Sequence, residues 1–324
     1  MPRRFLPALL LLAFMGIGAC SVTSGRQTGA EQRFEYTWPQ MGATFKLVFY
    51  ATDTLLARRA AQAVVDRVDT LNVILSDYRP DSELMRLCEQ AGTGQKVAVS
   101  ADLWRVLHLS ARYAHRSGGA FDPTVGPLTR LWRRARHLQE LPDTGRIEEA
   151  RALVNWENMI LYRNPRRVEL KNKGMKLDLG GIGQGFAADE CLRVLRRFGI
   201  KRALADAGGD IALGDPPPGV RGWSVAIPDQ FAPAPLLLSN CGITTSGATA
   251  RYLEANGRRY SHIVDPRTGW GVSHRVLVTV KAPSATEADA WATAISVMGK
   301  SNWEAMKNRY PRVKVWAGEL PLGE

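Results

Sequence analysis

A carboxylate and a hydroxyl share one face of a helix predicted near the carboxyl end of the chain. The sequence S-A-T-E at residues 284–287 matches the capping-box pattern, so a helix is predicted to begin there. Asp289 and Thr293 then lie one helical turn apart, where their oxygens can share one hard cation. The alternative is structural: Thr293 packs against its neighbours, and Asp289 stabilises the amino-terminal half of the helix through the helix dipole.

A second candidate site is the run of glycines in D-L-G-G-I-G-Q-G, residues 178–185. It lies between a predicted strand and a predicted helix, where exposed backbone N–H groups and the helix dipole attract phosphate. The glycines do not follow the G-x-G-x-x-G spacing of dinucleotide-binding folds, and no P-loop Lys-Ser/Thr pair follows them. Two interpretations remain open: an anion cradle, or close packing of a helix on a strand.

His262 is the candidate general base. It lies in S-H-I-V-D-P-R-T-G, residues 261–269, just before an Asp-Pro turn. A neutral imidazole in such a loop can accept a proton, although a single histidine is more often structural. The loop G-A-F-D-P-T, residues 119–124, offers an aromatic face beside a carboxylate, which suits a ring ligand with polar edges. A packed turn explains that loop equally well.

The elements that must position these residues follow from hydrophobic periodicity. Val64, Val68, Leu71 and Leu75 recur at helical spacing, and a second helical pattern beginning near Leu103 ends at two glycines. Further helices are predicted from the glycine segment to about residue 198 and over residues 285–298. Strands are predicted over residues 44–50, 168–177, 203–213, 223–227, 236–239 and 276–281. Helices and strands mix without regular βαβ alternation, which predicts an α+β fold.

Composition excludes several classes of protein. With 45% hydrophobic and 23% charged residues, the 324-residue chain is neither disordered nor collagen-like, and a single long apolar run excludes a polytopic membrane protein. The net charge of +12 suggests an anionic partner such as nucleic acid, a phosphate-rich ligand or lipid headgroups. The densest basic run is more often a solvated helix face than a binding site; it comprises Arg130, Arg133, Arg134, Arg136 and His137.

The amino terminus is typical of an export signal. Two arginines precede an apolar run over residues 5–19, which is short for a membrane-spanning helix, and small residues then lead to Cys20. This end resembles a bacterial lipobox, so we expect a signal peptide over residues 1–19, a lipidated Cys20 with a tether over residues 20–33, and one domain over residues 34–324. The alternative is an ordinary signal peptide with an incidental cysteine. The export signal also disfavours a nucleic-acid binder.

Three cysteines remain after removal of the signal peptide: Cys88, Cys191 and Cys241. Their odd number and their separations match neither a zinc site nor a disulfide framework. We therefore expect all three to pack in the interior.

Taken in order, these segments resemble the ApbE family of FAD:protein FMN transferases. The resemblance spans nearly the whole mature chain. Each motif alone is weak evidence, but eight motifs in the family order are hard to obtain by chance. The motifs are M-G at 41–42, S-E-L at 82–84, G-A-F-D-P at 119–123, L-D-L-G-G-I-G at 177–183, G-G at 208–209, T-S-G at 245–247, H-I-V-D-P-R-T-G at 262–269 and A-D-A at 288–290.

The resemblance implies transfer of the FMN half of FAD to a Thr or Ser hydroxyl of a target protein through a phosphodiester bond, with release of AMP. It implies a mixed, T-fold-like sheet core with packed helices, Mg²⁺ held by Asp289, Thr293 and the Gly181 carbonyl, and His262 as the catalytic base, with Asp265 a lesser candidate. The residues implied to contact FAD are Met41, Tyr78, Ala120, Phe121, Asp122, Asp178, Gln184 and Ile263.

The resemblance also implies a location and a partner. We expect a lipid-anchored protein of the bacterial cell envelope, on the periplasmic or extracytoplasmic face of a membrane. Its expected targets are membrane redox proteins that carry a D-x-x-[S/T]-G-A-[S/T] acceptor motif. Two alternatives stay open: a FAD pyrophosphatase that yields FMN and AMP, and a non-catalytic FAD-binding lipoprotein.

Three positions depart from the family pattern. Ala43 stands where Thr is usual, Gln184 where Lys or Glu is common, and Asp206 where Asn often precedes the double glycine. Compared with Lys or Glu, the Gln184 side chain can still form hydrogen bonds but has no charge. We therefore expect this departure to affect FAD contact and the balance between transfer and hydrolysis more than the fold.

Overall fold

The computed structural model describes residues 30–247, 252–274 and 276–319. Within these ranges the chain forms fourteen strands: β1 (Gln32–Gln40), β2 (Ala43–Ala51), β3 (Val97–Ala98), β4 (Met159–Tyr162), β5 (Arg167–Leu170), β6 (Ala203–Ala207), β7 (Asp210–Leu213), β8 (Trp223–Val225), β9 (Leu236–Leu238), β10 (Cys241–Gly247), β11 (Tyr252–Ala255), β12 (Arg258–Ser261), β13 (Val276–Ala282) and β14 (Lys314–Glu319). The predicted signal peptide and Cys20 lie outside the described residues.

The same ranges contain eight α-helices: α1 (Thr54–Leu75), α2 (Glu83–Glu89), α3 (Ala101–Arg116), α4 (Gly126–Leu138), α5 (Thr144–Arg151), α6 (Gly183–Arg197), α7 (Ala285–Met298) and α8 (Lys300–Met306). Short 3₁₀ turns occupy Trp156–Asn158 and Lys307–Arg309. Among the helices in the described ranges, none is long and apolar enough to cross a membrane.

A seven-stranded sheet forms the centre of the fold, in the order β1-β2-β6-β7-β10-β13-β14. Every neighbouring pair in it is antiparallel. The predicted α+β class is therefore confirmed, and the expected mixed sheet core is an antiparallel sheet with helices packed on it. Smaller sheets pair β3-β5-β4, β8-β9 and β11-β12.

Helices α6 and α7 pack against each other and against the central sheet, α6 on β6 and β7 and α7 on β10 and β13. Helix α1 packs on α6 from the other side, and its buried positions include all four apolar residues whose spacing predicted it. Burial of this apolar face, rather than helix propensity, is what stabilises such helices. The packing fixes α6 and α7 side by side, and these two helices contain Gln184, Asp289 and Thr293 of the candidate site.

Predicted helix starts agree closely with the structure. Helix α7 begins after Ser284, whose side chain accepts a hydrogen bond from the backbone N–H of Glu287 at 3.2 Å, as a capping box requires. Its bounds, 285–298, are those predicted. Helix α6 begins within the glycine segment and ends one residue before the predicted limit.

Two strand predictions need correction, and several strands were not predicted. Residues 168–177, predicted as one or two strands, contribute only to β5, which ends at Leu170. The single strand predicted over residues 203–213 is the hairpin of β6 and β7. The hairpin turns at Gly208 and Gly209, whose φ angles of 78° and 106° suit glycine. Strands β1, β3, β4, β10, β11, β12 and β14 were not predicted. Strand β1 begins two residues before the boundary expected between tether and domain.

The three cysteines are buried and free of disulfides, as expected for packing residues. Burial raises the pKa of each thiol, that of Cys191 to about 12. Thiols in this state are inert, so none is a candidate nucleophile.

Candidate functional site

The glycine segment lies against helix α7, which brings the two strongest candidate motifs together. A Cβ atom on Gly181 would lie 2.7 Å from Thr293 Oγ1, so only glycine allows this approach. Four residues later, the Gly185 backbone N–H donates to Asp289 Oδ2 at 3.1 Å. The glycines therefore allow close helix packing, which is their structural interpretation. The same packing brings the Asp289 carboxylate and the Thr293 hydroxyl against the backbone of the glycine segment.

Asp189 fixes the amino terminus of α7 from the neighbouring helix α6. Its carboxylate accepts hydrogen bonds from the backbone N–H groups of Ala285 at 3.0 Å and Thr286 at 2.9 Å, and from the Thr286 hydroxyl at 2.5 Å. With Ser284, it satisfies N–H groups that a helix start would otherwise leave without partners. The register of Asp289 and Thr293 against the glycine segment depends on this junction.

A second buried carboxylate beside Asp289 was missed in the sequence. Asp210 begins β7, accepts a hydrogen bond from the Thr244 hydroxyl at 2.8 Å, and has its pKa raised to about 7 by burial and, further, by the negative charge of Asp206. Burial, and then the Asp210 charge, also raise the pKa of Asp289 well above its usual value. Its place in the sequence could have identified Asp210 as a candidate, since it directly follows the double glycine of the family pattern.

The donor set at this point suits a magnesium ion better than a transition metal. The described residues contain no group of three or more His, Cys, Asp or Glu side chains that could hold a metal. Asp289 and Thr293 instead provide a carboxylate and a hydroxyl, and magnesium characteristically takes one or two carboxylates with several waters. Two mutually repelling buried carboxylates are also the arrangement that a hard cation would stabilise. Asp289 and Thr293, beside the backbone of Gly181, are oxygen donors of the kind that such an ion takes.

Gln184 and Met41 adjoin the glycine segment on its other side. Met41 has a φ of 50° at the turn between β1 and β2, and its carbonyl accepts a hydrogen bond from Gln184 Nε2 at 3.3 Å. Ala43 lies against the next glycine pair, since a Cβ on Gly208 would be 2.5 Å from the Ala43 Cβ. Two of the three departures from the family pattern thus lie side by side.

The loop over residues 119–124 is tightly packed. Phe121 is 4% exposed within the main core, and Ala120 is buried. Both oxygens of Asp122 already accept hydrogen bonds, Oδ1 from Thr124 and Oδ2 from the Trp156 N–H at 3.1 Å. Burial raises the Asp122 pKa. The contacts of these three residues with FAD stay predictions, and the side-chain packing is that of the structural alternative.

Tyr78 and Asp178 lie together at the rim of the site, joined by Arg133 of helix α4. Asp178 Oδ2 accepts from Arg133 Nη2 at 2.8 Å, and its Oδ1 accepts from the Gly180 N–H at 2.8 Å. Arg133 also pairs with Asp77 and lies over the Tyr78 ring, 4.2 Å from the ring centroid. The basic run thus includes one arginine that is engaged with candidate site residues.

His262 and Ile263 follow strand β12 in a loop that hydrogen bonds to neighbouring backbone. The Ile263 N–H donates to Ser261 Oγ at 3.1 Å, and the Ile263 carbonyl accepts from Val272 N–H at 2.9 Å. His262 is partly exposed. Trp132 of α4 donates to the Gly269 carbonyl at 2.8 Å and so ties the end of the loop to the helix that contains Arg133.

Asp265 shapes this loop. Its side chain accepts from Arg267 Nε at 2.9 Å and Nη2 at 2.8 Å, and its carbonyl accepts from the Gly269 N–H at 2.8 Å. These contacts occupy the carboxylate in holding the turn, so Asp265 is the weaker candidate for a base.

Comparisons with known proteins place these features in one family. The ApbE family model matches residues 41–317. A FAD:protein FMN transferase of Treponema pallidum is 33% identical over 332 residues, covering 94% of this chain and 88% of that protein. A FAD:protein FMN transferase of Escherichia coli is 30% identical, covering 90% of this chain and 86% of that protein.

Solved structures agree. The ApbE protein of Thermotoga maritima superposes with a TM-score of 0.79 at 26% identity, covering 90% of this chain and 97% of that one. The apo form of the flavinyl transferase ApbE from Pseudomonas stutzeri gives a TM-score of 0.79 at 26% identity, covering 89% and 91% of the two chains. The match of sequence and fold over most of its length shows that this chain belongs to the ApbE family.

Proposed function

We propose that this chain is a FAD:protein FMN transferase that uses Mg²⁺ to transfer the FMN moiety of FAD to a Thr or Ser hydroxyl of a target protein and releases AMP. Its relatives of that name supply the reaction class. The observation that carries the proposal is the convergence of Asp289, Thr293 and the Gly181 backbone at one point beside a phosphate-suited glycine segment.

The chemistry is an exchange at phosphorus. The acceptor oxygen bonds to the phosphorus of the FMN half, the bond from that phosphorus to the bridging oxygen breaks, and AMP leaves with the bridging oxygen. A bound magnesium ion would neutralise charge on the phosphate oxygens. Asp289 and Thr293, with the Gly181 carbonyl, would hold that ion, and the burial of Asp289 keeps the carboxylate in a fixed position.

His262 is our candidate for the base that takes the proton of the acceptor hydroxyl. A hydroxyl is a weak nucleophile at neutral pH, and a neutral imidazole within hydrogen-bond reach typically contributes about 10²–10⁴-fold in rate. His262 lies in a loop that Trp132 and Asp265 hold in shape, so the ring is presented by a fixed turn.

FAD would lie along the surface that joins the glycine segment to the rim. We propose contacts from Met41 and Gln184 beside the segment, from the loop of Ala120, Phe121 and Asp122, from Asp178 and Tyr78 at the rim, and from Ile263 beside the base. Tyr78 supplies an exposed ring face for stacking, and Gln184 supplies a neutral hydrogen-bonding amide.

We also propose export and anchoring. Residues 1–19 would be removed as a signal peptide, Cys20 would be lipidated, and the domain would stay on the periplasmic or extracytoplasmic face of the bacterial envelope. Several acyl chains on one cysteine give stable anchoring, whereas one chain is marginal. The targets would be membrane redox proteins with a D-x-x-[S/T]-G-A-[S/T] motif, which the anchor would bring to the same surface.

The test mixes the protein lacking residues 1–19 with FAD, Mg²⁺ and a synthetic peptide containing the acceptor motif, and follows peptide mass and AMP by mass spectrometry. We expect a mass gain equal to the FMN moiety and an equal amount of AMP. AMP without a peptide gain would support a FAD pyrophosphatase, and FAD binding without AMP would support a non-catalytic flavin-binding protein.

A matched pair of histidine variants tests the base. His262→Ala should retain FAD binding and slow transfer by about 10²-fold or more. His137→Ala removes an exposed histidine from α4 and should leave the transfer rate unchanged. Equal rates in the wild type and His262→Ala would mean that the base lies elsewhere.

A further inference from the structure

Arg133 connects three side chains that come from two distant segments of the chain. Its guanidinium pairs with Asp77 and with Asp178, the latter at 2.8 Å, and its Cζ lies 4.2 Å from the centroid of the Tyr78 ring. Asp77 and Tyr78 follow helix α1, whereas Asp178 is the first residue of the glycine segment. A single planar cation therefore sets the position of both segments relative to each other.

Both terminal nitrogens of Arg133 donate to carboxylates, Nη1 to Asp77 and Nη2 to Asp178. The side chains of Asp77 and Asp178 are 11% and 7% exposed, so their mutual repulsion is poorly screened by water. One guanidinium between two carboxylates gives the cluster a net charge of −1. An arginine paired with two carboxylates in this way fixes the position of both, and the negative net charge of the cluster disfavours a further anion.

Tyr78 is unusual for an aromatic residue because 70% of its surface is exposed. Arg133 covers one face of the ring, and the exposed area leaves the opposite face available to a ligand ring. A ring held by a cation on one side loses little freedom when an aromatic ligand stacks on the other.

We propose that Arg133 is a positioning residue for FAD: it holds the Tyr78 ring and the Asp178 carboxylate in the arrangement that receives the dinucleotide. This inference rests on the proposed FAD contacts of Tyr78 and Asp178. Arg133 acts through these two residues and touches neither the transferred phosphorus nor the acceptor hydroxyl.

The primary test compares Arg133→Met with Arg134→Met. Arg134 is exposed on the same helix, so its variant makes the same change in charge without the three contacts. FAD affinity is measured by quenching of flavin fluorescence without Mg²⁺ or acceptor, and KM and kcat by AMP release with both. We expect Arg133→Met to raise Kd and KM for FAD by about tenfold with kcat within about twofold, and Arg134→Met to change neither.

Two further variants separate positioning from a general structural role. Arg133→Lys keeps the charge and loses the planar fork, so it should recover less than half of the lost affinity. In a double-mutant cycle with Tyr78→Leu, the combined loss should be smaller than the product of the single losses, because Arg133 acts partly through that ring.

Several results would overturn the inference: an unchanged FAD Kd in Arg133→Met, a lowered kcat with unchanged KM, independent losses in the cycle, or full recovery by Arg133→Lys. The thermal unfolding of each variant is measured as well. A loss of FAD affinity that is explained by a loss of stability would also count against the inference. Failure of the proposed function is distinguishable, because a wild type that binds FAD without releasing AMP still gives the Kd comparison.

Discussion

The two sides of the site are built in different ways. On the buried side, proposed to hold magnesium, Gly181 and Gly185 bring backbone against α7, and the carboxylate of Asp289 is buried among small residues. At the rim, long side chains such as Arg133 and Tyr78 reach across partly exposed space. In the proposed reaction, the buried side would hold charge next to the bond that breaks, and the rim would orient FAD, which must enter and leave.

The strongest test of the buried side is Asp289→Asn. We expect Mg²⁺-dependent AMP release to fall to background, because an amide oxygen is a poor replacement for the carboxylate that would hold the ion. We also expect an unchanged or higher melting temperature without Mg²⁺, since the substitution removes repulsion between two buried carboxylates. AMP release and thermal unfolding measure the two effects.

Asp229→Asn is the matched control for this experiment, because Asp229 is exposed and far along the sequence from either motif. It should leave both measurements unchanged. Full Mg²⁺-dependent activity in Asp289→Asn would mean that the ion is held elsewhere. The buried side and the rim would then not differ in metal binding.

The second test adds one methyl group to the glycine segment. A Cβ on Gly185 would lie 2.4 Å from the Ala285 carbonyl oxygen and 2.8 Å from Asp289 Cβ, so α6 and α7 would have to separate. We expect Gly185→Ala to cost about 1–3 kcal/mol of unfolding free energy and to weaken Mg²⁺ binding. Urea unfolding and a Mg²⁺ titration of thermal stability measure these effects.

Gly183→Ala is the control, since a Cβ there would meet only Met41 Cε at 3.8 Å, an ordinary contact. It should be neutral or slightly stabilising, because alanine favours a helix more than glycine. Equal losses in the two variants would show that the segment is sensitive to any added side chain and not to the approach of α7.

The same contrast explains which features the sequence predicted. The buried side depends on local patterns. The capping box predicted the first residue of α7, and spacing alone placed Asp289 and Thr293 on one face. Asp210 was not predicted as a site residue, because it comes to lie beside Asp289 only when β7 packs next to α7 in the folded chain. The contacts of Arg133 were not predicted for a similar reason, since only the folded chain brings Asp77, Arg133 and Asp178 together. An arginine in a basic run carries no sign of such partners.

A smaller effect is expected from pH in the metal-free protein. Burial raises the pKa of Asp210 to about 7, whereas an unfolded Asp has a pKa near about 3.9. Between these values the native state binds more protons than the unfolded state, so its stability falls as pH rises from about 4 to about 7. We expect the melting temperature in EDTA to drop by a few degrees over this range, and Mg²⁺ to raise it more at pH 8 than at pH 5, because ligands must be deprotonated.

Asp210→Asn isolates this contribution. The variant should melt with a flatter dependence on pH between about 4 and 7, and Mg²⁺ should raise its melting temperature by less than in the wild type. Identical pH profiles in the wild type and the variant would show that Asp210 is ionised in the native state well below neutrality.

The smallest effect is expected at the rim, from Asp77→Asn. Arg133 keeps its contact with Asp178 and its position over the Tyr78 ring, so the groups proposed to meet FAD stay in place. Loss of one partner from a partly exposed ion pair typically costs about 1 kcal/mol or less, and removal of the repulsion between Asp77 and Asp178 offsets part of that cost. We therefore expect the FAD Kd, measured by flavin fluorescence, to change by less than about threefold. A tenfold loss from this one substitution would show that the rim is as rigidly determined as the buried side, and that its exposed side chains act as one unit.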